Sequence, residues 1–185
     1  SGAIGEKQGL ETVIDAADIL KHSTHIKFVI CGSGPYQKRL VDLARRRGLS
    51  NVFFLPVQPV EILNRFLNMA DVHLVIQKST ASDLVMPSKL TTILAVGGFA
   101  IVTAPKGSSL YQVVSENKVG LVVEPENTMY LVEAIEIATN GNMQTVRDNA
   151  RNYAEKHLSI DRILQMYTSH LDTSATLSSS SLEVP

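Results

Sequence analysis

Five short apolar runs punctuate the chain, at residues 26–31, 52–55, 72–76, 99–103 and 119–123, and none alternates apolar with polar positions. A strand wetted on one face would alternate, so these runs predict strands covered on both faces. Between them the apolar positions fall at helical spacing, as in Leu10, Val13, Ile14, Ala17 and Leu20, and again in Leu40, Leu43 and Ala44. Strands alternating with helices predict an α/β fold built on a doubly wound parallel sheet with right-handed crossovers. Three helices are expected to close the domain, over 127–140, 142–157 and 160–171, with Ser159 as N-cap of the last. One domain therefore spans 1–171, and the Ser/Thr-rich remainder, 172–185, has little to bury and reads as a mobile tail. The opening, 1–5, reads as a loop leading into the first helix with no complete strand before it, as in a piece of a longer protein.

Composition narrows the function classes. With 185 residues, 44% of them hydrophobic, the chain can bury a full core. A formal net charge of -1 gives no whole-protein attraction to nucleic acid, and 5% aromatic residues with no Trp argue against a base-stacking single-strand binder. The lone cysteine, Cys31, ends an apolar run and reads as a small core residue. No apolar stretch approaches the length of a membrane span, and no signal-peptide pattern is present.

In open α/β sheets ligands sit beyond the carboxyl ends of the strands, so the chemistry is sought in the loops that follow the runs. The loop from Gln77 to Lys89 follows the third run, and the segment Met86-Pro87-Ser88-Lys89-Leu90 at its end opens a helix. Pro87 suits its first turn, where a missing N–H costs nothing, and the amides of Ser88, Lys89 and Leu90 then point out of the positive end of the helix. With the Ser88 hydroxyl and the Lys89 ammonium beside them they form an anion site suited to a diphosphate; an ordinary Pro-started helix with a solvated lysine is the plain alternative. A second loop, residues 2–9, carries Gly5, Lys7 and Gly9. A third, Gly32-Ser33-Gly34-Pro35, begins like a dinucleotide fingerprint, but Gln37 stands at the third glycine position and no acidic residue ends the next strand. That argues against a nicotinamide cofactor, and a tight turn that lets helix and strand pack closely competes with phosphate contact at Gly32 and Gly34. The rigid turn Pro56-Val57-Gln58-Pro59 offers Gln58 and free backbone groups to a nucleobase edge. In the loop after the fourth run, Ser109 and Gln112 have capping-box spacing.

Other charged groups read as structural. Arg45, Arg46 and Arg47, with Lys38 and Arg39, suit a solvated helix face more than a polyanion or membrane surface. The five histidines show no metal-ligand spacing, and His73, inside an apolar run, reads as a satisfied core or edge residue. Glu124 beside Pro125 could reach the ligand cleft or sit at a helix start.

In order and spacing the chain resembles the C-terminal, donor-nucleotide-binding half of a GT-B glycosyltransferase of the GT4 type, a Rossmann-like domain. The resemblance is carried by Gly5-Glu6-Lys7-Gln8-Gly9-Leu10, by Phe28-Val29-Ile30-Cys31-Gly32-Ser33-Gly34-Pro35, by Asn51-Val52-Phe53-Phe54-Leu55, by Ala70-Asp71-Val72, and by Pro87-Ser88-Lys89-Leu90 with Ala95-Val96-Gly97-Gly98. Through residues 5–11 and 85–98 it is similar to colanic acid (exopolysaccharide) glycosyltransferases. The resemblance implies retaining transfer of a sugar from a UDP- or GDP-sugar to a glycan or lipid-linked acceptor. The chain would grip the donor nucleotide, and its own N-terminal domain, outside this sequence, would supply most of the acceptor site. It also implies a cytoplasmic protein that can meet the inner face of the membrane peripherally. The absence of an Asp-x-Asp motif points to metal-independent chemistry with no cofactor, in which Lys7, Lys89 and the helix start neutralise the diphosphate.

Four positions depart from the family pattern. The two family glutamates fall at Leu84, beside Asp83, and at Thr92, so Thr92 is left to take the ribose; the family's basic pair near the first loop falls at Ala3 and Gln8. These losses keep two other readings open: a nucleotide-sugar epimerase of the same architecture, and a non-catalytic binding or scaffold module.

Overall fold

A computed structural model describes residues 2–81 and 86–159 of the chain. The elements are β1 (Gly2–Ala3), α1 (Glu11–Ile19), β2 (Phe28–Ser33), α2 (Gln37–Arg46), β3 (Val52–Leu55), α3 (Val60–Asn68), β4 (His73–Val75), α4 (Ser88–Ala95), β5 (Ala100–Thr103), α5 (Ser109–Glu116), β6 (Gly120–Val123), α6 (Thr128–Asn140) and α7 (Gln144–His157). All strand pairs are parallel, in two three-stranded sheets of order β1-β2-β3 and β4-β5-β6. The expected α/β architecture is present, with its ladder interrupted between β1 and β4. The expected helix 160–171, its cap at Ser159 and the tail 172–185 lie outside the described residues or depend on them.

The opening residues do form a strand, but one of only two residues, in register at Gly2↔Gly32 and Ala3↔Ser33 beside the carboxyl end of β2. The sheets are joined through loops, where the Lys78 N–H donates to the Lys7 carbonyl at 3.2 Å. Below that join the halves share one core: Val13, Ala16 and Ala17 of α1 and Phe28 of β2 pack with Ile101 of β5, Val123 of β6 and Leu131 and Ile135 of α6. Ala100 and Val102 point the other way, into a second cluster with Leu90 and Leu94 of α4, Val114 of α5 and Ala150 and Ala154 of α7. All four residues of β5 are thus buried, as an apolar run without alternation requires.

That expectation fails for β2 and β3. Their inner face packs in a third cluster with Ile14 of α1 and Leu40 and Ala44 of α2. On the outer face Val29 and Phe53, paired in register, are 52% and 46% exposed. The helix that should cover them, α3, buries only Leu67 and leaves Val60 and Met69 outside. An apolar run reports the composition of both faces, while burial also needs a second layer that arrives.

Caps and contacts fix the rest. The cap of α5 is Ser108, one residue before the Ser109 expected from spacing; its extended backbone lets its hydroxyl accept the Tyr111 N–H at 3.2 Å. Asn127 caps α6 in the same way. Cys31 is buried and its thiol donates to the Pro56 carbonyl. The basic helix is solvated and paired, Lys38 with Asp42 at 3.1 Å, and Arg47 beyond its end with Asp15 at 2.6 Å, while Arg39 lies over the Tyr36 ring.

Glycine is required at two positions where β1 crosses the end of β2. A Cβ on Gly32 would overlap the Gly2 carbonyl oxygen, and one on Gly34 the Ile4 carbonyl oxygen. Because the obstructing atoms are backbone, Gly32→Ala is expected to cost about 2 kcal/mol or more in urea unfolding, the scale of an overpacked core site.

His73 is buried, as expected of a core residue, but its Nε2 finds no hydrogen-bond partner. Its ring fills the space that a side chain at Gly98 would need. Burial, reinforced by the Arg147 charge, holds its pKa down to about 4. Between the ordinary histidine pKa and that value the unfolded chain binds a proton that the native one refuses, so stability falls as pH drops from about 6.5 to about 4. Urea midpoints measured at pH 7 and pH 5 should show a larger drop for wild type than for His73→Gln.

Candidate functional site

The carboxyl end of the parallel strands gathers the loops after β1, β4 and β6. In the first, Gln8 acts as a clamp: its Oε1 accepts the Gly5 N–H at 2.6 Å and its Nε2 donates to the Ala3 carbonyl at 2.8 Å. Gly9 closes the turn in the left-handed region, φ 60°, with its N–H on the Glu6 carbonyl. The Gly5 amide is therefore committed within its own loop, while the Lys7 side chain is exposed. The Gln8 side chain is thus spent on holding the loop.

Cations reach this loop from the other sheet. Lys78, just past β4, lies across Gly9: a Cβ there would stand 3.0 Å from its Cγ and 3.7 Å from its Cε. Lys89, in the first turn of α4, lies along Gly2, whose hypothetical Cβ would be 3.4 Å from its Cε and 4.0 Å from its Nζ. Burial pushes the Lys89 ammonium below the ordinary lysine pKa. Among the described residues neither Lys7, Lys78 nor Lys89 has a carboxylate within ion-pair distance.

The start of α4 differs in one turn from the expected one. Pro87 is the N-cap, with extended ψ of 130°, and not the first helical residue; its carbonyl accepts the Leu90 N–H at 2.8 Å and the Thr91 N–H at 3.3 Å. Of the three amides expected to be open, that of Leu90 is thus occupied. Those of Ser88 and Lys89 have no backbone partner among the described residues. One turn on, Thr91 and Thr92 both donate their hydroxyls to the Ser88 carbonyl, at 2.8 and 3.0 Å. Thr92 is exposed and, its proton spent, presents an acceptor.

The remaining expected residues lie around this centre. Gln58 folds back, its Nε2 donating to the Pro56 carbonyl at 2.8 Å, so its oxygen is the end left for a ligand. Gly32 and Gly34 are explained by the crossing of β1, with no phosphate needed. Glu124 is exposed in a groove at the outer edge of β6 with Lys106, Tyr111 and Tyr130, and the cap of α6 is Asn127.

The loop cluster holds three residues to which the sequence assigned no role, two of them inside the loop from Gln77 to Lys89 that the strand ends marked. Besides Lys78, they are Gln77, whose backbone N–H and carbonyl both bond the Thr103 hydroxyl while its Nε2 is buried without a partner, and Glu126, whose carboxylate accepts the Ser79 hydroxyl at 3.0 Å. For Gln77 and Lys78 the signal was available, since they end an apolar run at the carboxyl edge. Among the described residues no group of three or more His, Cys, Asp or Glu side chains could hold a metal ion, and no helix is long and apolar enough to cross a membrane.

The family model described as glycosyl transferases group 1 matches residues 1–157. The chain belongs to the group 1 glycosyl transferases. It is 44% identical over 170 residues to a protein of Escherichia coli K12 named as a colanic acid biosynthesis glycosyl transferase, WcaI, an alignment covering 90% of this chain and 40% of that one. The chain thus spans about two-fifths of the length of that relative. Among solved structures, HepE of Anabaena in complex with UDP superposes with a TM-score of 0.77 at 17% identity, over 93% of this chain and 48% of that one. The C-terminal domain of the group 1 protein LpcC from Francisella tularensis superposes with a TM-score of 0.72 at 16% identity, over 86% of this chain and 84% of that domain. The fold is that of a GT-B glycosyltransferase domain.

In this group 1 domain the Gln8 clamp determines the shape of the first loop. Gln8→Ala is expected to cost about 1–2 kcal/mol in unfolding and to speed amide exchange at residues 2–9, measured by hydrogen–deuterium exchange, because two bonds are lost together.

Proposed function

We propose that this chain is the donor-binding domain of a retaining glycosyltransferase. It would move a sugar from a UDP- or GDP-sugar to a glycan or lipid-linked acceptor in assembly of a colanic acid-like exopolysaccharide. The observation that carries the reading is the approach of two lysines without carboxylate partners among the described residues, Lys78 and Lys89, to glycines of one loop beside the open amides of α4. Similarity to WcaI and to a fold solved with UDP supports a nucleotide-sugar as the ligand.

The chemistry follows from charge. Breaking the bond between the anomeric carbon and the diphosphate builds negative charge on the leaving oxygens. Fixed positive groups in place before the reaction stabilise that change without reorganising. Lys89 and Lys78 supply full charges, Lys7 a third from the solvent side, and the Ser88 and Lys89 amides the positive end of a helix dipole. Half-burial of Lys89 strengthens its pull, since a desolvated ammonium has less water to give up. The Thr92 hydroxyl oxygen is an acceptor for a ribose hydroxyl, weaker than the glutamate of the family pattern, and the Gln58 oxygen with the neighbouring amides faces the base. This arrangement needs no metal at the diphosphate. The acceptor and the partner half of the cleft belong to an N-terminal domain, with the inner face of the membrane as the place of work.

Calorimetry of the chain with UDP, GDP and their sugars, in the presence of EDTA, tests the reading. Micromolar binding is expected, weakened about tenfold or more by Lys89→Ala, the scale of a bond to a charged group. Binding of none of these nucleotides would overturn it. Product analysis with the whole protein separates sugar transfer from epimerisation of the donor.

A further inference from the structure

The segment 77–81 follows β4 and, among the described residues, is tied down from three directions. Gln77 is bonded through both backbone groups to the Thr103 hydroxyl on β5. Lys78 donates its N–H to the Lys7 carbonyl of the first loop. Ser79 donates its hydroxyl at 3.0 Å, and its N–H at 3.5 Å, to one carboxylate oxygen of Glu126 in the loop after β6. The first two ties hold the segment to its neighbours on the sheet. The third reaches across from 47 residues further along the chain.

Glu126 makes that reach from an unfavourable backbone. Its φ is 60°, a left-handed conformation that only Lys118 shares among the described non-glycine residues. Such a residue costs roughly 1–2 kcal/mol over the right-handed form, and glycine would adopt it freely. The conformation is imposed from both sides, since Pro125 is buried and Asn127 caps α6 through its side chain. Backbone geometry alone would thus be served better by glycine, and the side chain that pays for being there is used on the Ser79 turn. Strain held at a residue that touches a ligand loop points to function more than to stability.

We infer that Glu126 is a positioning residue for the donor site: its carboxylate holds the Ser79 turn and, through it, fixes Lys78 over Gly9. The inference rests on the donor-binding reading above. It adds that the loop after β6, which contributes no group to the diphosphate, sets the affinity for it by removing freedom from the loop that does. Ordering that loop before the ligand arrives lowers the entropy lost on binding.

The deciding variant is Glu126→Gly, which relieves the backbone and removes the tie, compared with Glu126→Gln, which keeps an acceptor for the Ser79 hydroxyl. For Glu126→Gly the urea midpoint should stay level or rise while UDP or GDP affinity by calorimetry falls about three- to tenfold, the scale of one ordinary hydrogen bond. Glu126→Gln should recover part of that affinity. Unchanged affinity in Glu126→Gly, or a midpoint that falls together with affinity, would overturn the inference. If wild type binds no nucleotide, the donor reading fails by itself, and hydrogen–deuterium exchange then decides the tie. Faster exchange at 78–81 in Glu126→Gly, with α1 and α6 unchanged, upholds it, and unchanged exchange there overturns it.

Discussion

The backbone of β1 crosses the end of β2 so closely that no side chain fits at Gly32 or Gly34, and the rest of the site hangs on that crossing. It brings a two-residue strand against the carboxyl end of the sheet and delivers the loop 4–9 to the gap between the two sheets. There the Lys7 carbonyl meets the Lys78 amide, and the glycines at 2 and 9 leave room for two lysine stems. A methyl group at either crossing glycine would lift β1 and carry the loop, and with it the seat of both lysines, out of place.

Electrostatics give this geometry its meaning. Lys78 and Lys89 lie against Gly9 and Gly2 with no carboxylate among the described residues in ion-pair distance, and burial of the Lys89 ammonium is a cost that a bound anion would offset. Among the described residues some cations elsewhere are paired, as Arg47 is with Asp15 and Arg151 with Glu155, and others, such as Arg45, Arg65 and Lys106, are in no ion pair. What sets Lys78 and Lys89 apart is their place, at the carboxyl edge of the strands where open α/β sheets hold their ligands.

Much of the fold was legible along the chain. Runs without alternation located β2 to β6, and helical spacing with Asn127 as cap located α6. The site was legible as a set of loops and as Pro87-Ser88-Lys89, because helix starts have local signatures. It was less legible atom by atom. Pro87 caps the helix instead of entering it, Leu90 spends its amide on the Pro87 carbonyl, and Gly5 gives its amide to Gln8. Each of these turns on a dihedral angle or a side-chain direction that residue type leaves undetermined.

Local chemistry therefore determined what could be read without a structure: which segments are strands, where helices begin, and which loops carry phosphate-seeking groups. Tertiary structure decided what depends on distant segments meeting. It left one face of β2 and β3 uncovered because α3 stands away, and it set Lys78 and Lys89 on glycines of another loop. It also joined Glu126 to Ser79 across 47 residues. Hydrophobic periodicity reports on neighbours within a turn or two of chain, whereas the close approaches that shape this site are made between loops whose sequences carry no record of one another.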